Sequence, residues 1–163
     1  MLTDDILGLA ITYNGGDVRR VNHLVKVFTF AHHIGVQEKC DARTQTIIDV
    51  SALLHDIGIR EAERKHGSAS GRRQEIEGPP VARELLKNVG LDAAVTERIL
   101  FIIGRHHSYR YIDGPDFQIL VEADFLVNIF EDGTGRDAIE NIKKTIFKTA
   151  SGTALLQKLY LPG

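Results

Sequence analysis

Histidine and aspartate residues interrupt otherwise apolar helix faces at three places in the sequence. His106 continues one apolar stripe of helical spacing, Asp124 continues another, and Asp56 follows the apolar run of residues 52–54. Burying an unpaired carboxylate costs several kcal/mol, so such a residue is protonated, finds a partner or binds a metal. These positions are therefore the first candidates for chemistry in the chain.

Each candidate by itself has an ordinary structural explanation. A lone inward histidine usually bonds to backbone, and a lone inward aspartate usually caps a helix or forms an ion pair. Together they are more informative, because a further helix offers His23 beside them. Imidazole and carboxylate ligands suit Zn, Fe, Mn, Ni or Co, and suit Mg less well. The pattern predicts one divalent transition-metal ion.

The elements that carry these residues are predicted to be helices. Helical periodicity recurs along the whole chain and no stretch alternates as a strand does, which predicts an all-α bundle of six to eight helices with the metal site at its centre. Capping residues, glycines and prolines set the boundaries. The predicted helices span residues 3–14, 17–35, 41–58, 79–90, 92–107, 115–130, 137–150 and 153–159.

The segment from Ile59 to Gly78 lacks this periodicity and is rich in charge and glycine. It is predicted to be a loop with a short helical turn at residues 61–65. A loop hinged at Gly67 and Gly71 could close over a substrate as a lid. The lid is a hypothesis at this stage.

Composition narrows the class of protein. A chain of 163 residues with 43% hydrophobic and 26% charged residues fits one domain over 1–163, with its motifs in residues 17–130 and its last helices, 134–163, packed on that core. A net charge of −2 offers no field for nucleic acid or an anionic membrane. The single cysteine, Cys40, excludes an internal disulfide and fits a reducing compartment, so a cytoplasmic location is expected.

The motifs, taken in order, resemble the HD superfamily of metal-dependent phosphohydrolases. Arg-Val-Asn-His at residues 20–23 is similar to the opening motif, and Ala-Leu-Leu-His-Asp-Ile-Gly at residues 52–58 resembles the most diagnostic segment. Residues 102–107 resemble the later double-histidine segment, and residues 122–126 the closing Ala-Asp-x-Leu segment. The resemblance covers residues 17–130 and implies a metal-dependent hydrolase.

The resemblance also implies roles for particular residues. It makes His23, His55, Asp56 and Asp124 the ligands of the principal metal. Asp56 would also orient or deprotonate the attacking water, and His106 is the second catalytic candidate.

Relatives with two metals draw further histidines from two segments. The corresponding candidates are His106, His107 and His66, which would either bind a second metal or support the ligands of the first metal. Gln74 stands where such relatives often carry histidine. A second metal is therefore not expected.

A phosphorylated substrate needs positive partners. Arg20 lies one helical turn before His23, Arg64 and Lys65 lie in the charged segment, and Arg105 flanks the double-histidine segment. These four residues are the predicted phosphate-binding groups.

The predicted function is a phosphatase or phosphodiesterase acting on a nucleotide or another small phosphoester. Alarmone hydrolases carry an acidic pair where Ile59 and Arg60 stand, and no Gly-Tyr-Pro signature of cyclic-di-GMP phosphodiesterases follows His107. Two alternatives stay open: a di-iron oxygenase of the HD fold, which needs two metals, and a non-catalytic metal-binding sensor or binding module. The apolar residues of the last two helices fit either core or a homodimer interface; they are Ile139, Ile142, Ile146 and Phe147.

Overall fold

The computed structural model describes residues 2–163, which form nine α-helices, one 3₁₀ turn at Tyr109–Tyr111 and no β-strand. The predicted all-α bundle is confirmed. The helices are α1 Leu2–Asn14, α2 Val18–Gln37, α3 Ala42–Leu54, α4 Ile59–His66, α5 Gly71–Leu86, α6 Ala93–Ile103, α7 Pro115–Glu131, α8 Arg136–Thr145 and α9 Ala150–Tyr160.

Helix α3 is the centre of the bundle. Every residue from Ile47 to Leu54 is buried, and α3 packs against α1, α2, α6 and α7. A helix that is apolar on all sides can be stable in water only when other helices surround it. Because the helix ends at Leu54, His55 and Asp56 leave it in the middle of the molecule.

Two long helices flank α3 and also pack on each other. Asp17 caps α2 by accepting a hydrogen bond from the backbone N–H of Arg20, and α2 then buries a stripe that includes His23 and Leu24. Helix α7 starts with Pro115 in its first turn, where a missing N–H costs nothing. The contacts among α2, α3 and α7 bring their inward polar residues to one place.

Residues 59–78 do not form the predicted loop. Ile59–His66 is α4, which ends where Gly67 adopts a left-handed φ of 64°, and α5 begins at Gly71 rather than at Pro79. In α4 only Ala62 is buried, so the helix has no apolar stripe for sequence periodicity to detect. Helix α4, of which only a short turn at residues 61–65 was predicted, brings the number of helices to nine.

Pro79 and Pro80 lie inside α5, although a proline pair usually starts or ends a helix. Tertiary contacts hold the residues that precede it. Glu75 accepts hydrogen bonds from the His107 backbone N–H and the Ser108 hydroxyl, and Gln74 donates to the Ala69 carbonyl.

The structure does not support the lid hypothesis. Only residues 67–70 remain irregular between α4 and α5. Gly71, one predicted hinge, is the first residue of α5 and lies against His107, since a Cβ there would lie 2.9 Å from the ring. Packing of this kind holds the segment in place.

Backbones approach closely where α5 crosses the neighbouring turns. A Cβ on Gly58 would lie 2.6 Å from both the Gln74 carbonyl oxygen and the Gly78 nitrogen. A Cβ on Gly78 would lie 2.8 Å from a methyl carbon of Ile103. Helix α5 is thereby packed between the turn that follows α3 and the end of α6.

A buried glutamate joins the last helix to the core. Glu122 on α7 is fully buried and accepts hydrogen bonds from Gln118, from the backbone N–H groups of Lys148 and Thr149, and from the Thr149 hydroxyl. Helix α9 packs on α7 and α2, and Ile139 and Phe147 are buried within this chain. Across residues 2–163, no helix has both the length and the apolar character that a membrane crossing requires.

We expect Gly58→Ala to destabilise the fold by about 1–3 kcal/mol, because the added methyl group must push α5 away from the turn. Gly8→Ala is the matched control: nothing lies within 4 Å of its Cβ, so the better helix propensity should stabilise α1 by about 0.5–1 kcal/mol. Urea unfolding followed by circular dichroism measures both effects. An unchanged midpoint for Gly58→Ala would contradict the close crossing.

Candidate metal centre

Polar side chains from four parts of the chain meet at the centre of the bundle. His23 comes from α2, His55 and Asp56 follow α3, His106 follows α6, and Asp124 lies on α7. His23 Nε2 lies 3.2 Å from His55 Nε2 and 3.2 Å from Asp124 Oδ1. Asp56 Oδ2 lies 3.5 Å from His23 Nε2 and 3.6 Å from His55 Nε2, and Asp124 Oδ1 lies 3.6 Å from His55 Nε2.

These separations suit the coordination shell of a small cation. Ligand atoms about 2.1 Å from a metal stand roughly 3.0–3.4 Å from their neighbours in octahedral or tetrahedral arrangements. The observed separations of 3.2–3.6 Å are close to that range. The structure thus brings His23, His55 and Asp56 within reach of one ion, and Asp124 approaches the same two imidazoles.

Hydrogen bonding turns the free nitrogens of two histidines toward this point. His55 Nδ1 donates to the Ala52 carbonyl at 2.9 Å, and His106 Nδ1 donates to the Ile103 carbonyl at 2.8 Å. A carbonyl only accepts, so each proton sits on Nδ1 and each Nε2 presents a lone pair. His106 Nε2 is buried without a hydrogen-bond partner among the described residues, 3.4 Å from Asp56 Oδ1.

Lone pairs and carboxylates that face one another repel unless a positive charge lies between them. Burial alone would keep His55 neutral, but the carboxylates of Asp56 and Asp124 outweigh it and raise its pKa to about 9. Burial opposes ionisation of Asp56, yet His55 and His106 lower its pKa to about 2. A cation among these groups would relieve the repulsion between them, as protons also do. This donor set fits a divalent metal.

Two residues that sequence reasoning missed hold the ligands in position. Glu131 Oε2 pairs with His23 Nδ1 at 2.9 Å, and its other oxygen binds Lys26. The side-chain amide of Asn128 donates to Asp124 Oδ1 at 2.9 Å. Asn128 and Glu131 follow Asp124 by four and seven residues on the same face of α7, and this spacing was the available signal. Such partners fix the orientation of metal ligands.

A second group comprises Asp56, His106 and His107, whose ligand atoms lie within 4.8 Å of one another. His107 Nε2 donates a hydrogen bond to Gln74 Oε1 at 3.1 Å. Gln74, which stands where relatives with two metals often carry histidine, thus orients the His107 ring. Burial and the neighbouring His106 lower the pKa of His107 to about 4. His107 is thus a neutral imidazole behind His106.

Among the predicted phosphate-binding residues, Arg20 is the one beside the cluster. It lines a cavity of about 350 Å³ together with His23 and Asp56, and its guanidinium lies 3.3 Å from Asp17 and 3.6 Å from Glu63. This cavity is the opening through which a substrate could reach the cluster.

The structure does not bring the other predicted cations to the cluster. Arg64 pairs with Glu61 at 2.8 Å. Lys65 and His66 both pair with Glu77, because α4 turns their side chains toward α5. Arg105 stacks on the Phe101 ring, with its guanidinium carbon 4.2 Å from the ring centre, and lines a different cavity.

Comparison with known proteins rests on structure. No protein-family profile and no curated protein matches the sequence. The fold is similar to the crystal structure of a predicted HD superfamily hydrolase from an uncultured Thermotogales bacterium. The TM-score is 0.69 and the identity 26%, over 97% of this chain and 84% of that one. The chain has an HD-domain fold.

We expect purified protein dialysed against a limiting mixture of Mn²⁺, Fe²⁺, Co²⁺ and Zn²⁺ to retain a stoichiometric ion. His55→Ala and Asp124→Asn should weaken retention by more than about 100-fold, since even partners of metal ligands contribute 10–100-fold. Elemental analysis measures the bound ion. His33→Ala removes an exposed histidine and should retain metal as the wild type does. Wild-type retention by a folded Asp124→Asn protein would contradict the assignment.

Glu131→Ala should weaken metal binding by about 10–100-fold without abolishing it, because His23 stays in place but loses the carboxylate that orients its ring. Competition with a fluorescent chelator measures the affinity. Asp132→Ala is the control, since it removes the next carboxylate along the chain. The orienting role is disproved if both variants bind metal as tightly as the wild type.

Proposed function

We propose that this HD-domain protein is a metal-dependent phosphohydrolase that cleaves a small phosphoester, such as a nucleotide. The observation that carries the proposal is the meeting of three Nε2 lone pairs and two carboxylates beside an open cavity that contains an arginine. The likeness to a predicted HD superfamily hydrolase supports hydrolysis as the reaction class.

His23, His55, Asp56 and Asp124 would hold the ion. A divalent cation at this position supplies Lewis acidity, which makes a water a stronger nucleophile and polarises a phosphoryl oxygen. Four protein ligands leave positions on a five- or six-coordinate ion for water and substrate, whereas a closed tetrahedral site would be structural.

Asp56 lies between the His23–His55 pair and His106. Its Oδ2 faces the His23 and His55 nitrogens, and its Oδ1 faces His106 Nε2 at 3.4 Å. Because the His106 proton sits on Nδ1, its Nε2 can accept a proton from a water that Asp56 orients. Asp56 and His106 thus form the acid–base pair of the proposed reaction.

Arg20 would bind the phosphate at the mouth of the site. Its present partners, Asp17 and Glu63, are 3.3 and 3.6 Å away, and both carboxylates are partly exposed. A phosphate dianion can displace such weak, solvated pairs because it accepts two parallel hydrogen bonds from a guanidinium.

The proposed reaction is tested with a panel of nucleotides and sugar phosphates, using the metal that the protein retains. His106→Ala should lower kcat by about 10²–10⁴-fold with metal still bound, because a general base is lost. Arg20→Ala should mainly raise KM, because it removes binding common to ground and transition states. His33→Ala should match the wild type, and chelation should abolish activity.

Other outcomes of the same panel point to the alternatives. Oxygen consumption with two irons per chain would indicate an oxygenase. Tight metal binding without turnover of any substrate would indicate a sensor or binding module. In either case the proposal of phosphoester hydrolysis fails.

A further inference from the structure

A second cavity, of about 1020 Å³, opens where α5, α6 and the 3₁₀ turn meet. It shares no lining residue with the cavity at the metal centre. Three arginines line it: Arg72 from α5, Arg105 from the turn after α6, and Arg110 from the 3₁₀ turn. We call it the arginine cavity. It needs an explanation of its own.

The arginines of this cavity have no carboxylate partner. Within residues 2–163, no ion pair joins Arg72, Arg105 or Arg110 to an acidic side chain, whereas Arg64, Arg83 and Arg98 are each paired with a carboxylate. Arg72 and Arg110 are exposed and Arg105 is partly buried, so all three guanidiniums are open to an anion that enters this concave surface.

Two glutamates, Glu75 and Glu97, also line the cavity, and each is bonded to groups other than its three arginines. Glu97 pairs with Arg83 at 2.6 Å. Glu75 accepts hydrogen bonds from the His107 backbone and the Ser108 hydroxyl at 3.1 and 3.0 Å. Asp113 is paired with Arg98, which lowers the pKa of its carboxyl, and the charge of Arg105 adds slightly to this effect. Three arginines against two glutamates, one of which is paired with Arg83 outside the cavity, leave the lining net positive.

Aromatic rings hold two of the guanidiniums flat. The Arg105 guanidinium lies 4.2 Å from the Phe101 ring centre and 5.5 Å from that of Tyr111, and the Arg110 guanidinium lies 4.9 Å from the Tyr111 ring centre. Stacking orders the planar fork in advance, and apart from one Arg110 N–H that donates to the Tyr111 hydroxyl, the N–H groups stay available to a phosphate. A wall of stacked rings and guanidiniums also suits a nucleobase, which stacks on either.

We propose that the arginine cavity binds a nucleoside phosphate, with its phosphates on Arg72, Arg105 and Arg110 and its base on the Tyr111 side of the wall. His23, His55, Asp56 and Asp124 all lie outside the lining of this cavity, although His107 of the second group belongs to it, so binding does not require the principal ion. The proposal holds whether or not the protein is a hydrolase, since it concerns a surface separate from the proposed reaction site.

The test is calorimetric titration of metal-stripped protein with ADP in the presence of a chelator. We expect saturable binding that Arg105→Ala and Arg110→Ala each weaken by about tenfold or more, because each removes charged hydrogen bonds to phosphate. Pyrophosphate should bind more weakly than ADP, since it lacks the base. The two variants have independent positions, so one that fails to fold leaves the other as a test.

A matched arginine variant serves as control. Arg136→Ala removes an exposed charge on α8, away from both cavities. It should bind ADP as the wild type does. Absence of saturable binding, equal weakening by Arg136→Ala, or equal affinity for ADP and pyrophosphate would each overturn the proposal.

Discussion

The central constraint on this protein is the meeting of two carboxylates and three imidazoles at one largely buried point. His55 is fully buried, and His106 and Asp124 nearly so. Desolvation disfavours every charged form in such a place, and only a positive charge among the groups offsets it. The hydrogen bonds at Nδ1 of His55 and His106 turn their Nε2 atoms toward the centre. Both Nε2 atoms are thus oriented to bind a cation there.

The packing of the helices follows from this constraint. Helix α3 must end at the centre, because it delivers His55 and Asp56, and α2 and α7 must approach it from both sides with His23 and Asp124. Helix α5 then holds the two histidine-bearing turns at a fixed distance, through contacts that admit no side chain at Gly58 or Gly78. Glycine at these positions serves close approach, since Gly58 has an ordinary φ of −75°.

Charge is distributed differently at the two cavities of the bundle. At the candidate metal centre Arg20 pairs with carboxylates, and a metal would bring further positive charge. At the arginine cavity the positive charge belongs to three arginines of the protein, beside two glutamates that line the same cavity and bond to other groups. One surface is suited to a cation and the other to an anion, although His107 stacks on His106 between them, with ring centres 4.0 Å apart.

The sequence by itself determined the helical class, because apolar periodicity is a local pattern. Polar residues at apolar phases pointed to Asp56, His106 and Asp124, and the full set of four candidate ligands came from the resemblance of short motifs to the HD superfamily. Only a short turn of α4 was predicted, because a charged surface helix buries almost nothing. Helix α5 was started too late, because contacts from Ser108 and His107, distant in sequence, hold the residues before its prolines. Tertiary structure alone decided which charges face the site. Arg64, Lys65 and Arg105 are as basic as Arg20, but the direction of a side chain depends on how helices pack, and that depends on contacts between residues far apart in the chain.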